Sequence, residues 1–239
     1  MSVTSKSPLG VAREALAVGS AALRDYAHRF SPKTYTQPQL FACLVLKTFL
    51  KTDYRGICRF LTDWQDLRDA LGLTRVPHFT TLQKASQRLL CSRRIQRLLS
   101  VTLRRYYKHK RKIKRAALDS SGFICGHASL YYTRRRCGDG KTPVVYRRFA
   151  KLELATDCAT HLVLAGIAGR GPRVDIDRFV PLVDQALDHM LLDSALADEG
   201  NDSEANHRHA RETRGVRSFI PALHGRPTQN FRPASTVGR

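Results

Sequence analysis

Acidic side chains are scarce in this sequence: its 239 residues hold 20 Asp and Glu against 41 Lys and Arg, a formal net charge of +21. Such an imbalance repels itself unless a polyanion neutralises it, so nucleic acid is the first expected partner and a membrane surface the weaker one. Long apolar runs are missing as well. The greasiest stretch, Leu40 to Leu50, contains Lys47 and falls well short of the ~20 residues that span a bilayer. Arg13 and Glu14 break the N-terminal apolar segment where an export signal needs continuity. The six cysteines include no close pair: Cys125 and Cys137, the nearest two, lie 12 positions apart, which excludes C-x-x-C and zinc-knuckle spacings. Free thiols in a reducing cytoplasm, without membrane contact, are the expectation.

What is present divides the chain in two. Leu9, Ala12, Leu16, Ala22 and Leu23 fit a loosely amphipathic helix ending at Ser31-Pro32. A second helix has Thr36 as N-cap and Pro38 in its first turn, with apolar positions on too many sides for an exposed helix. Ile57, Phe60, Leu61, Trp64, Leu67 and Leu71 then recur at steps of three and four, closing at Gly72. Residues 80–108 read as one further helix. The first half is expected to be an all-helical bundle.

After Arg115 the pattern changes. AALDSSGF, residues 116–123, is too short for a helix and reads as a buried strand running into a turn. Strands are expected at 146–155 and 161–168, then a helix capped by Asp175, a fourth strand at 192–197, a short polar helix at 203–214 and a fifth strand at 216–223. That order implies a mixed sheet with helices on its faces, hence an α+β protein. The expected organisation is an N-terminal extension (1–33), a helical DNA-binding region (34–115), a catalytic core (116–227) and an irregular tail (228–239).

Two aspartates stand where strands end. Asp119 closes the first strand of the second half and Asp198 the fourth, and reactive groups in open sheets gather at such ends. If those strands are neighbours, the carboxylates face one another, which like charges tolerate with a cation between them. A pair of divalent ions held there suits phosphodiester chemistry. The competing reading is ordinary: an aspartate after a strand is more often a turn former or an N-cap. Glu199, Asp202 and Glu204, close behind Asp198, read as the acidic start of a helix, and His207 and His209 point to different sides of it. Gly166, Gly169 and Gly171 lack the spacing of a phosphate-binding loop.

Together, AALDSSGF, YRRFAKLELATDCATHLVLAGIAGRGPRVD, ALADEGNDSEANH and GVRSFIPALHGRP resemble the bacterial insertion-sequence transposases of the DDE superfamily, whose catalytic core is RNase H-like. The helical stretch YTQPQLFACLVLKTFLKTDYRGICRFL resembles that family's N-terminal region, so the likeness covers about residues 35–227. The resemblance implies that Asp119 and Asp198 are catalytic ligands of Mg²⁺ or Mn²⁺. It also implies cleavage of a DNA strand at a transposon end, followed by attack of the freed 3′-OH on target DNA, by a homo-oligomer assembled on DNA. Two departures accompany it. Asn201 stands where the family usually has Tyr, and no acidic residue follows Glu212 to serve as the family's third carboxylate, a helical glutamate. A truncated or frameshifted copy is therefore expected, with a non-catalytic nucleic-acid-binding remnant as the alternative and an RNA-associated basic protein as a third reading.

DNA contacts are expected from Arg104, Arg105, Lys108, Lys110, Arg111, Lys112, Lys114 and Arg115; from Arg134, Arg135, Arg136 and Lys141; and from Arg147, Arg148 and Lys151. Tyr106, Tyr107, Tyr131 and Tyr132 are interleaved and could stack on frayed bases. A helix-turn-helix between Asp53 and Leu89 fits end recognition, although helical bundles without DNA contact have the same pattern.

Overall fold

A computed structural model describes residues 6–108, 112–123, 149–171 and 175–222, in two compact units that divide between Lys108 and His109. The protein is α+β, helices first and a mixed sheet second. The first unit opens with α1 (Pro8–Ala22), where Ser7 accepts from the Gly10 amide at 3.2 Å. In α2 (Gln37–Phe49) Thr36 and Gln39 form a reciprocal capping box, which satisfies two amides that a helix start leaves open. Packing of α1 against α2 and against the helix at Ser92–Tyr107 makes residues 8–22 part of the helical unit.

Two expected helices are each divided. The span from Tyr54 breaks into α3 (Tyr54–Asp63) and α4 (Gln65–Ala70) at Trp64, because the Arg68 guanidinium turns back to cap the Leu61 carbonyl at 2.7 Å. The span from Phe79 breaks into α5 (Phe79–Leu89) and α6 (Ser92–Tyr107), with Arg94 donating to the Arg88 carbonyl across the gap. Gly72 ends α4 with φ +58°, a conformation a side chain would strain. Leu46, Ile57, Leu61, Leu82 and Leu89 are wholly buried; each contributes ~1.5–3 kcal/mol of burial. Cys43 lies among them, and burial pushes its thiol up to about 12. Cys43, Cys58, Cys91 and Cys158 are free.

The second unit is built on a five-stranded sheet in the order β4-β3-β2-β6-β7. Its strands are β2 (Ala116–Phe123), β3 (Phe149–Asp157), β4 (Val163–Gly171), β6 (Ser194–Ala197) and β7 (Arg217–Phe219). A short pair, β1 (Lys112–Ile113) with β5 (Leu191–Leu192), runs parallel beside it. β2–β3 and β3–β4 are antiparallel, whereas β2–β6 and β6–β7 are parallel. This architecture is consistent with the RNase H-like core that the resemblance implies. The fourth expected strand is interrupted at Asp193, whose carboxylate faces Lys112 at 3.2 Å and also binds Arg217. Those two cations hold the Asp193 carboxyl below the usual carboxylate range.

Alternation gives the sheet two unlike faces. Leu118, Glu153, Ala155, Ala195 and Ser218 are buried on one, and α7 (Phe179–Leu187) and α8 (Glu204–Arg208) meet it: Arg178, just before α7, reaches Glu153, and His207 of α8 reaches Ser218. On the other, Ala117, Leu152, Leu154 and Leu196 are half-buried and Asp119 is exposed. A π-helical turn, His209–Thr213, follows α8, and Gly215 leads into β7 with φ +65°.

His207 is 2% exposed, with Nδ1 2.7 Å from the Ser218 hydroxyl and Nε2 3.7 Å from Asp202. Burial, reinforced by the Arg211 guanidinium, holds its pKa below the ordinary 6.5. The unfolded chain therefore takes up this proton more readily than the fold does. The His207 contribution to stability is complete above pH about 6.5 and is lost as pH falls below it. Protection factors of the β6 and β7 amides, corrected for the intrinsic exchange rate at each pH, should fall between pH 7 and 5 in the native chain, and by less in a His207→Gln variant.

Candidate active site

Asp119 does not close its strand as expected: β2 runs on to Phe123 because Ser120, Ser121 and Gly122 stay paired with β3, while Asp198 directly follows β6. The parallel ladder sets where the two aspartates lie. Lys112 pairs with Leu191, Ile113 with Leu192, Ala116 with Ala195 and Leu118 with Ala197. The offset is 79 positions in every case (195 less 116), so the break at Asp193 leaves the register unchanged. One further step brings Asp119 level with Asp198, and parallel neighbours in register share a face. Both carboxylates are exposed.

Each has one oxygen committed. Asp119 Oδ1 accepts from the Ser120 amide at 2.7 Å, and Asp198 Oδ1 accepts from the Asn201 side-chain amide at 2.6 Å. Asn201 is 6% exposed and anchored in turn, since Asn206 Nδ2 donates to its carbonyl at 2.9 Å and to the Ile176 carbonyl at 3.0 Å. The 3₁₀ turn Glu199–Asn201 closes the arrangement, with the Asn201 amide donating to the Asp198 carbonyl at 3.1 Å. Asn201 was legible in the sequence only as a departure from Tyr; its grip on Asp198 was not. Asp202 is buried beside His207, and Glu204 opens α8 behind its cap Ser203. Glu199 is exposed at the start of the 3₁₀ turn.

A small cleft between these elements is lined by Leu118, Asp119, Ser120, Glu153, Asp175, Arg178, Leu182 and Asn201. Asp175 corrects an expectation. It does not cap the helix, which starts later, at Phe179 with Arg178 as N-cap. Its carboxylate instead accepts from the Ser120 hydroxyl at 3.0 Å and binds Lys151. Lys151, expected on a DNA-facing surface, has a side chain only 10% exposed and is paired with Asp175 of the cleft wall. Glu153, 2% exposed, has Oε2 3.5 Å from Arg178 Nε.

The donors here are hard oxygens, which suit Mg²⁺ or Mn²⁺. Among the described residues Asp119 Oδ2 and Asp198 Oδ2 carry no hydrogen bond. Also among the described residues, no group of three or more His, Cys, Asp or Glu is arranged to hold a metal ion. The described residues therefore fit two ligands of such a centre and, among themselves, offer no third.

Of the other basic residues, Arg104 bonds the Ser100 hydroxyl and Arg105 pairs with Glu14 at 2.6 Å, holding the Glu14 carboxyl below its usual range. Lys112 pairs with Asp193, and Lys108, Lys114 and Arg115 are exposed. The basic run is thus divided between the end of α6 and the start of the sheet unit. Tyr107 is buried and unavailable for base stacking, whereas Tyr106 is 43% exposed. Lys110, Arg111, Arg134, Arg135, Arg136, Lys141, Arg147, Arg148, Tyr131 and Tyr132 lie outside the described residues. Among the described residues no helix is long and apolar enough to cross a membrane.

No family model matches the chain, and no curated protein matches it. Its fold is distantly similar to solved structures of Mos1 transposase. The paired-end complex with the left transposon end matches at 14% identity and a TM-score of 0.29, over 84% of this chain and 62% of that one. The strand transfer complex matches at 13% identity and the same TM-score and coverage. A pre-cleavage transpososome gives 13% identity and a TM-score of 0.26, over 84% of this chain and 63% of that one. This chain thus spans less than two thirds of the Mos1 chains' length.

Replacing Asn201 by the near-isosteric Leu should free the Asp198 carboxylate to rotate, while the bonds from Asn206 to the backbone carbonyls of residues 201 and 176 are kept. Loss of such an outer-shell hydrogen bond is expected to weaken Mn²⁺ binding about 10–100-fold. Electron paramagnetic resonance titration of free Mn²⁺ measures it, with Asp198→Asn as the reference for loss of a ligand.

Proposed function

We propose that this chain is a DDE-type transposase of the bacterial insertion-sequence class, acting on the phosphodiester backbone at transposon ends. The observation that supports the reading best is the unbroken register that sets Asp119 level with Asp198 on one face of the sheet. Asp119 and Asp198 would hold Mg²⁺ or Mn²⁺ through their uncommitted oxygens. Such ions supply polarisation of the scissile phosphate and activation of the attacking oxygen. The protein's own part is positional. Ser120 and Asn201 fix the two carboxylates, while Arg178 and Lys151 hold the adjacent acids Glu153 and Asp175 in the cleft wall. DNA, as transposon end and as target, is the proposed partner, engaged by a homo-oligomer. The net charge of +21 favours it.

A second reading has one observation in its favour. Since no group of three metal-binding side chains occurs among the described residues, a DNA-binding remnant without catalysis fits the same surface. Nicking and strand-transfer assays on labelled end DNA with Mn²⁺ separate the two. Activity should be present in the native chain and fall to background in Asp119→Asn and in Asp198→Asn. Nicking that persists unchanged in both variants sinks the catalytic reading, and DNA binding without any nicking selects the remnant.

DNA binding itself should depend steeply on salt. Each phosphate neutralised contributes a slope of about −0.9 in log K against log salt. A flat titration, followed by fluorescence anisotropy, would contradict the electrostatic argument.

A further inference from the structure

The helical unit contains a concave site of its own. Between α3 and the segment that leads into α5 lies a cleft of about 610 Å³, within the size range of small-ligand sites and roomier than a lone phosphate requires. Its walls include Arg55, Arg75, His78 and Phe79 and no carboxylate. The nearby acids are already occupied: Asp53 caps α3 through the Gly56 amide at 2.6 Å, and Asp63 pairs with Arg59 at 3.0 Å. Among the described residues, neither Arg55 nor Arg75 forms an ion pair.

The site is also held ready. Tyr35 donates to the Val76 carbonyl at 3.1 Å, Cys58 donates to the Pro77 carbonyl at 3.1 Å, and Gln39 donates to the carbonyls of Leu71 and Gly72. Three side chains from two helices and their approaches thereby pin the connection from α4 to α5, so little ordering remains to be done on binding. Arg55 lies over the Phe79 ring, its guanidinium carbon 4.7 Å from the centroid. The pair presents a flat cationic plate of the kind on which bases stack. His78 Nδ1 is engaged by Thr80, 2.8 Å from its hydroxyl and 3.4 Å from its amide, so the outer nitrogen Nε2 is the one left to face a ligand, as a donor when Nδ1 accepts.

We propose that this cleft receives one unstacked nucleotide of a DNA strand, with Arg75 and His78 on its phosphate and the Arg55–Phe79 pair against its base. The proposal rests on the DNA reading above for the identity of the polymer, yet it concerns a different unit of the chain from Asp119 and Asp198. Unpaired cations make the cleft a receptor for an anion, and its volume and stacking plate select a nucleotide over bare phosphate.

The test uses the full chain, a short fluorescein-labelled oligothymidylate and a blunt duplex. Arg55→Gln and Arg75→Gln alter exposed residues, so the fold is retained. Each should weaken oligothymidylate binding by about tenfold or more, while the duplex is affected little. Arg59→Gln removes the same charge from α3 outside the cleft and should change neither. Peptide-resolved alkylation gives the location independently: oligothymidylate should protect Cys58, which lines the cleft, from iodoacetamide. Equal losses in Arg59→Gln and the cleft variants would overturn the proposal, since a diffuse field would then account for binding. Equal losses on duplex and single strand would overturn it as well, and so would an unprotected Cys58. If the native chain binds neither probe, the DNA reading falls with it; if it binds both and the cleft variants change nothing, only this proposal falls.

Discussion

The pairing of β2 with β6 is the constraint on which the second unit depends. It joins a strand at the start of the unit to one nearly eighty residues later, with the antiparallel β3 and β4 and the helix α7 in between. Parallel pairing needs a long crossover, and its loop entropy is offset only when the intervening elements pack well. Phe179, Leu182, Val183 and Ala186 of α7 supply that packing. The ladder then continues through the irregularity at Asp193 because Ser194 donates to the Lys114 carbonyl and the Asp193 amide donates to the Ile113 carbonyl. Those two bonds bridge the residues where ladder pairing lapses, and the register beyond them brings two acids level.

The helical unit obeys a different economy. Its caps are local, its core is a contiguous cluster of leucines and alanines, and its breaks are made by arginines reaching back to helix-end carbonyls. Cationic side chains at helix C-termini are favoured by the exposed carbonyls. In so basic a chain some arginines are therefore structural, and net charge alone overstates how many face a ligand.

Much of this was legible in the sequence. Period-two and period-three-to-four patterns marked the strands and helices, and Thr36, Pro38 and Gly72 marked their ends, because these signals are local. The strand bearing Asp119 was read as closing there with a turn after it, whereas it runs on to Phe123 paired with β3; the strand bearing Asp198 was read two residues early at its start. The breaks at Trp64 and Leu90 were not legible, since an apolar period continues across each and only Arg68 and Arg94, folded back, reveal them. Asp175 looked like an N-cap because an acid before an apolar helix usually is one; Ser120 and Lys151, distant in sequence, claim it instead. Tyr107 looked like a stacking residue from its basic neighbours, but its side chain is buried.

The amide of Asn201 has one more consequence. It fixes the orientation of Asp198 without bringing any charge of its own, unlike the Lys or Arg that restrains Asp175, Asp193 and Glu14 elsewhere in the molecule. A cationic partner would have cancelled part of the field that a carboxylate offers to a metal ion. A neutral clamp leaves the whole negative charge of Asp198 directed outward, in a molecule whose remaining surface is predominantly positive.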